Sequence, residues 1–349
     1  MSESLFFLLF SVGVIAVMLI DLGVFKKDTA AEVTFKEAGF WTGMWVLLAI
    51  AFYIFLLYNG AIVHGISDMA SLKEVQQSYA SHIDLGAVPY AEALAIFQNN
   101  MSLEFIAGYL VEYSLSADNV FVFILIFNSF GVQKRYYKKI LVWGILGAII
   151  LRLIFIFLGA ALLQKFDWVI YVFGAFLVYT GVKILFSKQA EEQIDTDKHP
   201  VVRLLSSFFN VYKRNVIGRF FVRMKTGKIF ITPIFIVVVV IAFTDILFAV
   251  DSIPAIFSIS KDPYIVFFSN VFAVMGLRSL FFFLSSLMSL FRLLPIGLGV
   301  LLSFVGAKML AHTKLEEWGF GTLSSLGVII GILTISILLS VLFPEKKKA

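Results

Sequence analysis

The 349-residue sequence contains no cysteine, and its charged residues are scarce, at 15% of the chain against about 25% in soluble domains. The first absence excludes a disulfide scaffold, and the second excludes an ordinary cytosolic enzyme. The sequence also lacks a Walker A motif, an H-E-x-x-H motif and a G-x-S-x-G motif in a suitable context, which argues against an ATP-driven pump or a hydrolase. We therefore expect a protein that is not an enzyme and that has no resident cofactor.

Hydrophobic residues make up 60% of the chain, and 39 residues are phenylalanine, so the sequence is also unlike a disordered protein. A helix that crosses a membrane needs roughly 20 mostly apolar residues. Nine runs meet this requirement, and they predict an all-α polytopic membrane protein with about nine transmembrane helices. The runs cover residues 5–25, 38–58, 103–127, 138–163, 166–186, 230–257, 264–287, 292–311 and 320–343.

The basic residues lie mostly on one side of the predicted membrane. Of the 28 Lys and Arg residues, 20 fall in alternate loops and four in the opposite loops. Because basic loops stay in the cytoplasm, this distribution predicts an outer N-terminus and a cytoplasmic C-terminus. It also makes the lipid bilayer, and not nucleic acid, the expected partner of the net charge of +5. The basic loops are 26–37, 128–139, 187–228, 288–292 and 344–349.

Two connections are longer than the rest. The outer loop, 59–100, is predicted to be a surface segment with a short helix near Ala91–Phe97. In the inner loop, 187–228, an acidic start is followed by a basic amphipathic stretch over 201–228. We interpret that stretch as a helix on the cytoplasmic leaflet that buries aromatic rings in anionic lipid, with a regulatory or partner site as the alternative. The rings in question are Phe208, Phe209 and Phe220.

The sequence contains an internal repeat. Glu112 and Asp118 match Asp245 and Asp251, with the same six-residue spacing, and T-G-V-K-I-L ending at Leu185 matches V-G-A-K-M-L at an offset of 125 residues. Each unit contains three spans, and an odd number of spans reverses the second copy. We therefore expect two inverted repeats, an arrangement that places a site near the membrane midplane.

The repeat gives the predicted organisation of the chain. The domain boundaries are 1–58 for the first two helices, 59–100 for the outer loop, 101–186 for repeat 1, 187–228 for the cytoplasmic loop, 229–311 for repeat 2, and 312–349 for the last helix and basic tail.

Five acidic residues fall inside the predicted spans, where each costs about 2.5 to 3.5 kcal/mol to insert. With neighbouring Asn and Ser residues they form an oxygen-rich set, which suits Mn²⁺, Ca²⁺ or Mg²⁺ better than Cu(I) or Zn²⁺. The alternative is that the acids pair with the central Arg152 and Arg278 and only hold helices together. Five acids facing two central bases favour the cation site. The predicted ligands are Glu112, Asp118, Asn119, Asp245, Asp251 and Ser252, with Asp21 and Asn270 as further candidates.

The inversion also predicts heights in the membrane, with Glu112 level with Asp251 and Asp118 level with Asp245. Two acids six residues apart on a regular helix are separated by about 9 Å along the axis and about 120° around it, so one helix cannot direct both at one ion. Pro254 removes a backbone donor and predicts a local break in the helix after Asp251. All four histidines lie in or beside loops and are expected to be surface residues rather than metal ligands. They are His64, His82, His199 and His312.

These motifs resemble the TerC family of membrane proteins, which is named for tellurium resistance and is related to LysE-type exporters. The resemblance covers all nine predicted helices and is most specific in the two acidic motifs. The matching stretches are G-Y-L-V-E-Y-S-L-S-A-D-N-V-F-V-F from Gly108, F-D-W-V-I-Y-V-F-G-A-F-L-V-Y-T-G-V-K from Phe166 and F-T-D-I-L-F-A-V-D-S-I-P-A-I-F from Phe243.

The resemblance implies a manganese exporter of a bacterial inner membrane, with six of the predicted ligands at family motif positions. The family usually has a Glu three residues before Asp245, whereas Ala242 stands there in this chain, which implies weaker binding or slower transport. We expect export of Mn²⁺ by alternating access, and paired carboxylates would also allow proton antiport. The alternatives are a Ca²⁺ exporter, or a membrane-protein assembly or stress-resistance factor without transport. The oligomeric state is left open.

Overall fold

The structure is a computed structural model, and it describes the larger part of the chain. The described residues are 3–21, 34–166, 168–186, 200–212, 219–223, 228–285, 293–311, 314–315, 318, 320 and 322–342. The helices are α1 (Glu3–Asp21), α2 (Phe35–Asn59), α3 (Ala61–His64), α4 (Met69–Tyr79), α5 (Tyr90–Ser129), α6 (Tyr137–Lys165), α7 (Val169–Phe186), α8 (Pro200–Phe208), α9 (Pro233–Phe257), α10 (Pro263–Met275), α11 (Leu277–Ser285), α12 (Leu294–Leu310) and α13 (Thr322–Leu342). The strands are β1 (Asn210–Val211), β2 (Phe221–Arg223) and β3 (Ile229–Ile231).

The fold is all-α, as predicted, and each apolar run of the sequence coincides with a helix or a pair of helices. Among the described residues, four helices are long and apolar enough to cross a membrane by themselves, and a bent pair would make a fifth span. That pair is α10 and α11, whose axes differ by 41°. The count of nine crossings stays a prediction, because several of the remaining apolar helices are short.

Helix α5 is much longer than the span predicted from its sequence. Its 40 residues correspond to about 60 Å, twice the roughly 30 Å of a hydrocarbon core. The short separate helix predicted near Ala91–Phe97 is therefore wrong, since these residues form the first turns of α5. No Gly or Pro stands between Tyr90 and Gly108 to stop the helix. It ends at Ser129, and Gly131 two residues later has a φ of 58°, which is readily adopted only by glycine.

Helix α9 runs without interruption through Pro254, so the predicted break after Asp251 is also wrong. The proline removes one backbone donor, but it stands only three residues before the helix ends. The N–H of Ser258 still donates to the Pro254 carbonyl at 3.1 Å. At the other end, the Thr232 side chain accepts from the N–H of Phe235, and Pro233 takes the first helical position.

Helices α7 and α12 approach each other through four glycines, which we call the glycine contact. A Cβ atom built on Gly181 would lie 2.6 Å from the Gly299 carbonyl oxygen, and one on Gly306 would lie 2.6 Å from the Gly174 carbonyl oxygen. The repeat offset of 125 residues relates Gly174 to Gly299 and Gly181 to Gly306. Gly181 therefore contacts Gly299, the repeat copy of Gly174, and Gly174 contacts Gly306, the repeat copy of Gly181. A two-fold axis between inverted repeats requires this crossed pairing.

Residues 200–231 differ from the amphipathic helix predicted there. Among the described residues of this segment, the helical part is α8, and β1, β2 and β3 form a three-stranded sheet in the order β1-β3-β2, with β1 parallel and β2 antiparallel to β3. Aromatic and β-branched residues favour strands, which explains why the helix does not continue. The sheet leads through Thr232 directly into α9.

Helix α10 is buried along nearly its whole length between other helices. Pro263 starts it, and the Asp262 side chain caps it by accepting from the N–H of Tyr264 at 2.9 Å. At the bend after Met275, a Cβ on Gly276 would meet the Trp45 side chain at 3.4 Å, so α2 approaches closely there. This burial fixes α10, and with it Asn270, against α5 and α6.

Candidate cation site

A buried arginine stands at the centre of the predicted site. Arg152 lies midway along α6, and its guanidinium binds the Asp245 carboxylate of α9 in a two-point contact. Nε donates to Oδ2 at 2.9 Å, and Nη2 donates to Oδ1 at 3.1 Å. This fork geometry matches a carboxylate and is strong where water is excluded.

The remaining donor of the same guanidinium reaches two further helices. Nη1 donates to Glu112 Oε1 of α5 and to Asn270 Oδ1 of α10, the latter at 2.9 Å. The Asn270 amide is itself held, because its Nδ2 donates to the Val266 carbonyl at 3.0 Å. We call Glu112, Arg152, Asp245 and Asn270 the charge cluster. All four side chains are buried, and they join four helices.

The charge cluster holds two carboxylates and one guanidinium, so these four residues carry one excess negative charge. One buried oxygen of the cluster, Glu112 Oε2, has no hydrogen-bond partner among the described residues, and neither has Ser252 Oγ, two turns after Asp245 on α9. A buried oxygen without a partner costs about 1 to 3 kcal/mol, and more when it is charged. The arrangement can therefore accept a further positive charge or proton donor.

The structure brings together three of the predicted ligands, Glu112, Asp245 and Asn270. Asn119 and Ser252 are buried on α5 and α9, the helices that carry the two acids. The side chains of Asp21, Asp118 and Asp251 lie outside the described part of the structure. Within that part, no three side chains of His, Asp or Glu are grouped to hold a metal ion.

The predicted heights pair Glu112 with Asp251 and Asp118 with Asp245, and they stay a prediction, because the side chains of Asp118 and Asp251 are not described. What the structure shows is that one planar guanidinium contacts both Glu112 and Asp245. These two acids are therefore neighbours, although the prediction assigned them to different levels.

The pairing of the acids with Arg152 was the structural alternative in the sequence, and Glu112 and Asp245 follow it. The sequence signal was the charge at mid-span, which needs a partner in a low-dielectric environment. What the sequence could not provide is that one arginine serves both acids and Asn270. These contacts join residues that are 40, 93 and 118 positions apart in the chain.

A sequence model of the family described as "Integral membrane protein TerC family" matches residues 97–348. The chain belongs to the TerC family. Its match includes the charge cluster and both helices of the glycine contact, so these features lie in the family portion of the chain.

Curated relatives of this TerC protein match almost its whole length. Proteins with the provisional name of membrane-bound redox modulator, Alx, are 38% identical in Salmonella typhi, covering 95% of this chain and 92% of theirs, and 38% identical in Escherichia coli K12, covering 94% and 91%. An uncharacterized membrane protein of Myxococcus xanthus is 38% identical over 94% of this chain and 89% of its own. No solved structure matches the chain.

His64 and Asp262 form another buried ion-pair geometry among the described residues of this TerC protein. His64 Nε2 lies 2.6 Å from Asp262 Oδ2, and both side chains are buried. The expectation that His64 is a surface residue is therefore wrong, because folding places it against the N-terminus of α10. His82 is partly exposed and lies 3.4 Å from Glu104 Oε1, whereas His199 and His312 are outside the described residues.

Ala242, where the family resemblance implies a Glu, lies one turn before Asp245 on α9. Its side chain is half-buried and faces α6, where a Cβ built on Gly147 would lie 3.5 Å away. A longer side chain at this position would start beside the helix that carries Arg152.

Proposed function

We propose that this TerC protein exports manganese across a bacterial inner membrane, with Mn²⁺ as cargo and no resident cofactor. The observation that carries the proposal is the charge cluster, a buried set of oxygen ligands with excess negative charge between α5, α6, α9 and α10. Carboxylate and amide oxygens without thiolates suit a hard divalent ion. The predicted inverted repeats provide two units that can alternate around it.

In this proposal Arg152 is the counter-charge of the cargo-free protein. The guanidinium already neutralises part of the charge on Glu112 and Asp245, so an arriving cation competes with it for the same oxygens. Glu112 Oε2, which has no partner among the described residues, is the oxygen open to the cation from the start. Release of Mn²⁺ returns both carboxylates to Arg152, or to protons, which would couple export to proton entry.

The unpaired oxygens favour a cation site over purely structural pairing. If the acids served only to hold helices together, a single acid would satisfy Arg152, and the second would add a desolvation cost without need. Asp118 and Asp251, whose side chains lie outside the described part of the structure, stay predicted ligands on the same two helices. By the positive-inside rule, the same proposal places the N-terminus outside and the C-terminus in the cytoplasm.

Two other functions remain candidates. Calcium is the nearer one, because Ca²⁺ accepts the same ligands with a larger coordination number. A membrane-assembly or stress-resistance role is the other, and the name of the Alx relatives indicates redox effects. These 349 residues contain no cysteine, so they supply no thiol for disulfide exchange.

Reconstituted liposomes that contain a Mn²⁺-sensitive dye test the proposal. Wild-type protein should carry Mn²⁺ faster than Ca²⁺, and Asp245→Asn should abolish the flux. Asp262→Asn is the matched control, because it also removes a buried, paired acid but lies outside the charge cluster. Absence of flux from a folded wild-type protein would favour the assembly role, and a preference for Ca²⁺ would change the cargo.

A further inference from the structure

The segment between α7 and α9 forms a surface that the charge cluster does not use. It consists of α8 and the three-stranded sheet. Lys139 Nζ lies 4.5 Å from the centre of the Phe220 ring, and the Trp143 ring meets Phe220 edge-on at 5.9 Å. Both residues belong to the first turns of α6, and β3 leads directly into α9. The segment is therefore fixed at the end of the bundle where two apolar helices begin.

Helix α8 buries only half of its apolar side. Val201 and Leu205 pack on the core beside α9, whereas Leu204 and Phe208 are 59% and 76% exposed. At about 100° per residue, these four residues occupy one side of the helix, and Arg203, Ser206 and Ser207 occupy the other. The apolar side of α8 is therefore buried at Val201 and Leu205 and exposed at Leu204 and Phe208.

The sheet extends this exposed apolar surface. Phe209, at the end of α8, is 50% exposed, and Phe221 and Ile229 are 51% and 60% exposed. Ile229 is paired with Arg223 across β2 and β3, so an exposed base stands beside it on one face. We call Leu204, Phe208, Phe209, Phe221 and Ile229 the apolar patch. Large apolar side chains grouped outside a hydrocarbon core usually contact a partner.

The charge of the segment indicates which partner. Residues 200–231 contain seven Lys and Arg residues and no Asp or Glu. Arg203, Arg219, Arg223 and Lys228 are exposed within the described part of the segment. Apolar rings combined with bases alone match the boundary between acyl chains and anionic headgroups. If the partner were a protein, we would expect acidic side chains in the segment as well as basic ones.

We propose that α8 and the sheet lie in the headgroup region of the cytoplasmic leaflet and bind anionic lipid. The apolar patch inserts below the phosphates, and Arg223 contacts them beside Ile229, while Arg203, Ser206 and Ser207 face water. The inference does not rest on manganese export, because the segment and the charge cluster share no residue. The segment lies at the end of the bundle where α6 and α9 begin, so it can contact the leaflet on that side only. In this proposal that leaflet is the cytoplasmic one, because the basic loops lie there.

A cysteine-free chain allows single spin labels to test this arrangement. Phe208→Cys and Ser206→Cys are a matched pair, since both positions are exposed on α8 but on opposite sides. In nanodiscs with phosphatidylglycerol, the label at 208 should collide mainly with oxygen dissolved in lipid, and the label at 206 mainly with a water-soluble nickel chelate. Equal access of the nickel chelate to both labels would overturn the proposal, and so would dipolar broadening at 208, which would indicate a second copy of the chain.

Lipid selectivity provides a second measurement. Replacing Arg223 with Gln in an otherwise unlabelled protein should weaken its preference for phosphatidylglycerol over phosphatidylcholine by about fivefold, at about 1 kcal/mol per base, whereas Arg203→Gln, on the water side of α8, should change it less. Brominated lipids that quench Trp143, beside Phe220, would report the preference. An unchanged preference in the folded Arg223→Gln variant would show that this base does not contact lipid.

Discussion

The charge cluster and the glycine contact are both buried junctions between helices, but they are held together by opposite means. In the charge cluster, four polar side chains join four helices through charged hydrogen bonds. In the glycine contact, the absence of side chains lets two backbones approach until a Cβ atom would be 2.6 Å from a carbonyl oxygen. The first junction depends on charge, whereas the second depends on shape. In the proposed function the first junction exchanges its partners and the second stays fixed.

The largest effect is expected from removing the central positive charge. Arg152→Gln leaves two buried carboxylates without their counter-charge, which should destabilise the protein by about 3 to 5 kcal/mol. If the cluster holds a cation, Mn²⁺ should restore part of this loss, because it replaces the missing charge. Melting temperatures in detergent with and without Mn²⁺ measure both effects.

Arg152→Lys is the control for this variant, since it keeps the charge but loses the two-point contact. Its response to Mn²⁺ should be close to that of the wild type. Equal Mn²⁺ responses in the Gln and Lys variants would contradict a cation site and leave the acids as structural partners of Arg152.

The glycine contact should be sensitive to a single methyl group. Gly306→Ala places a Cβ 2.6 Å from one backbone atom and 2.7 Å from another, so the helices must separate. Overpacking of this kind costs about 1 to 3 kcal/mol. Gly331→Ala on α13 is the control, because nothing lies within 4 Å of its Cβ, and it should be neutral or stabilising by up to about 1 kcal/mol. Similar melting temperatures for the two variants would mean that α7 and α12 pack less closely.

A substitution at residue 242 tests whether more negative charge beside the charge cluster strengthens Mn²⁺ binding. Ala242→Glu adds a carboxylate on the face that contains Asp245, and one charge-assisted ligand of about 1.5 to 3 kcal/mol should raise Mn²⁺ affinity about tenfold or more. Repulsion between like charges opposes the gain, so the gain should be larger at pH 8 than at pH 6. Titration of Mn²⁺ binding at both pH values, with Ala242→Gln as the uncharged control, measures it. Equal affinities of the Glu and Gln variants would exclude residue 242 from the site.

The smallest effect on stability is expected at the exposed cap of α4, where Asp68 binds a backbone N–H, in contrast to the two buried junctions. Asp68 caps α4, and the Ser71 backbone N–H that it accepts at 2.8 Å holds the pKa of its carboxyl below the usual value. Because the folded pKa is lowered, the stabilisation is present above the unfolded pKa of about 3.9 and is lost as pH falls through the lower folded value.

Hydrogen exchange of α4 measures this capping effect. Protection of its first turn should decrease slightly as the solution becomes more acidic than the unfolded pKa, and Asp68→Asn should remove that dependence while keeping a capping oxygen. A pH dependence that persists in the Asn variant would assign it to another group.

Much of the fold could be predicted because apolar length and periodicity are local properties of a sequence. Each of the nine runs coincides with helical structure, and the family was identified from the acidic motifs. The errors lie where local rules compete. Residues 91–97 join α5 because nothing stops the helix, Pro254 stands too near a helix end to break it, and the strands after Phe209 follow from β-branched and aromatic residues within a basic stretch.

The sequence was enough to select residues of the candidate site, but not to predict which of them contact each other. Buried charge is expensive, so Glu112, Asp245 and Arg152 could be selected from the sequence as functional or paired residues. Their shared guanidinium could not, because it depends on how α5, α6 and α9 pack. The same reason explains His64, whose partner Asp262 is 198 residues away in the chain.

The crossed pairing of glycines has a consequence for the origin of the molecule. Gly174 meets Gly306 and Gly181 meets Gly299, so the surface of one three-helix unit is complementary to itself in the opposite orientation. If the predicted repeats arose by duplication, a single ancestral unit inserted into the membrane in both directions would form a homodimer through this surface. Fusion of two such copies would let each copy diverge, and the basic loop between them would then favour one orientation.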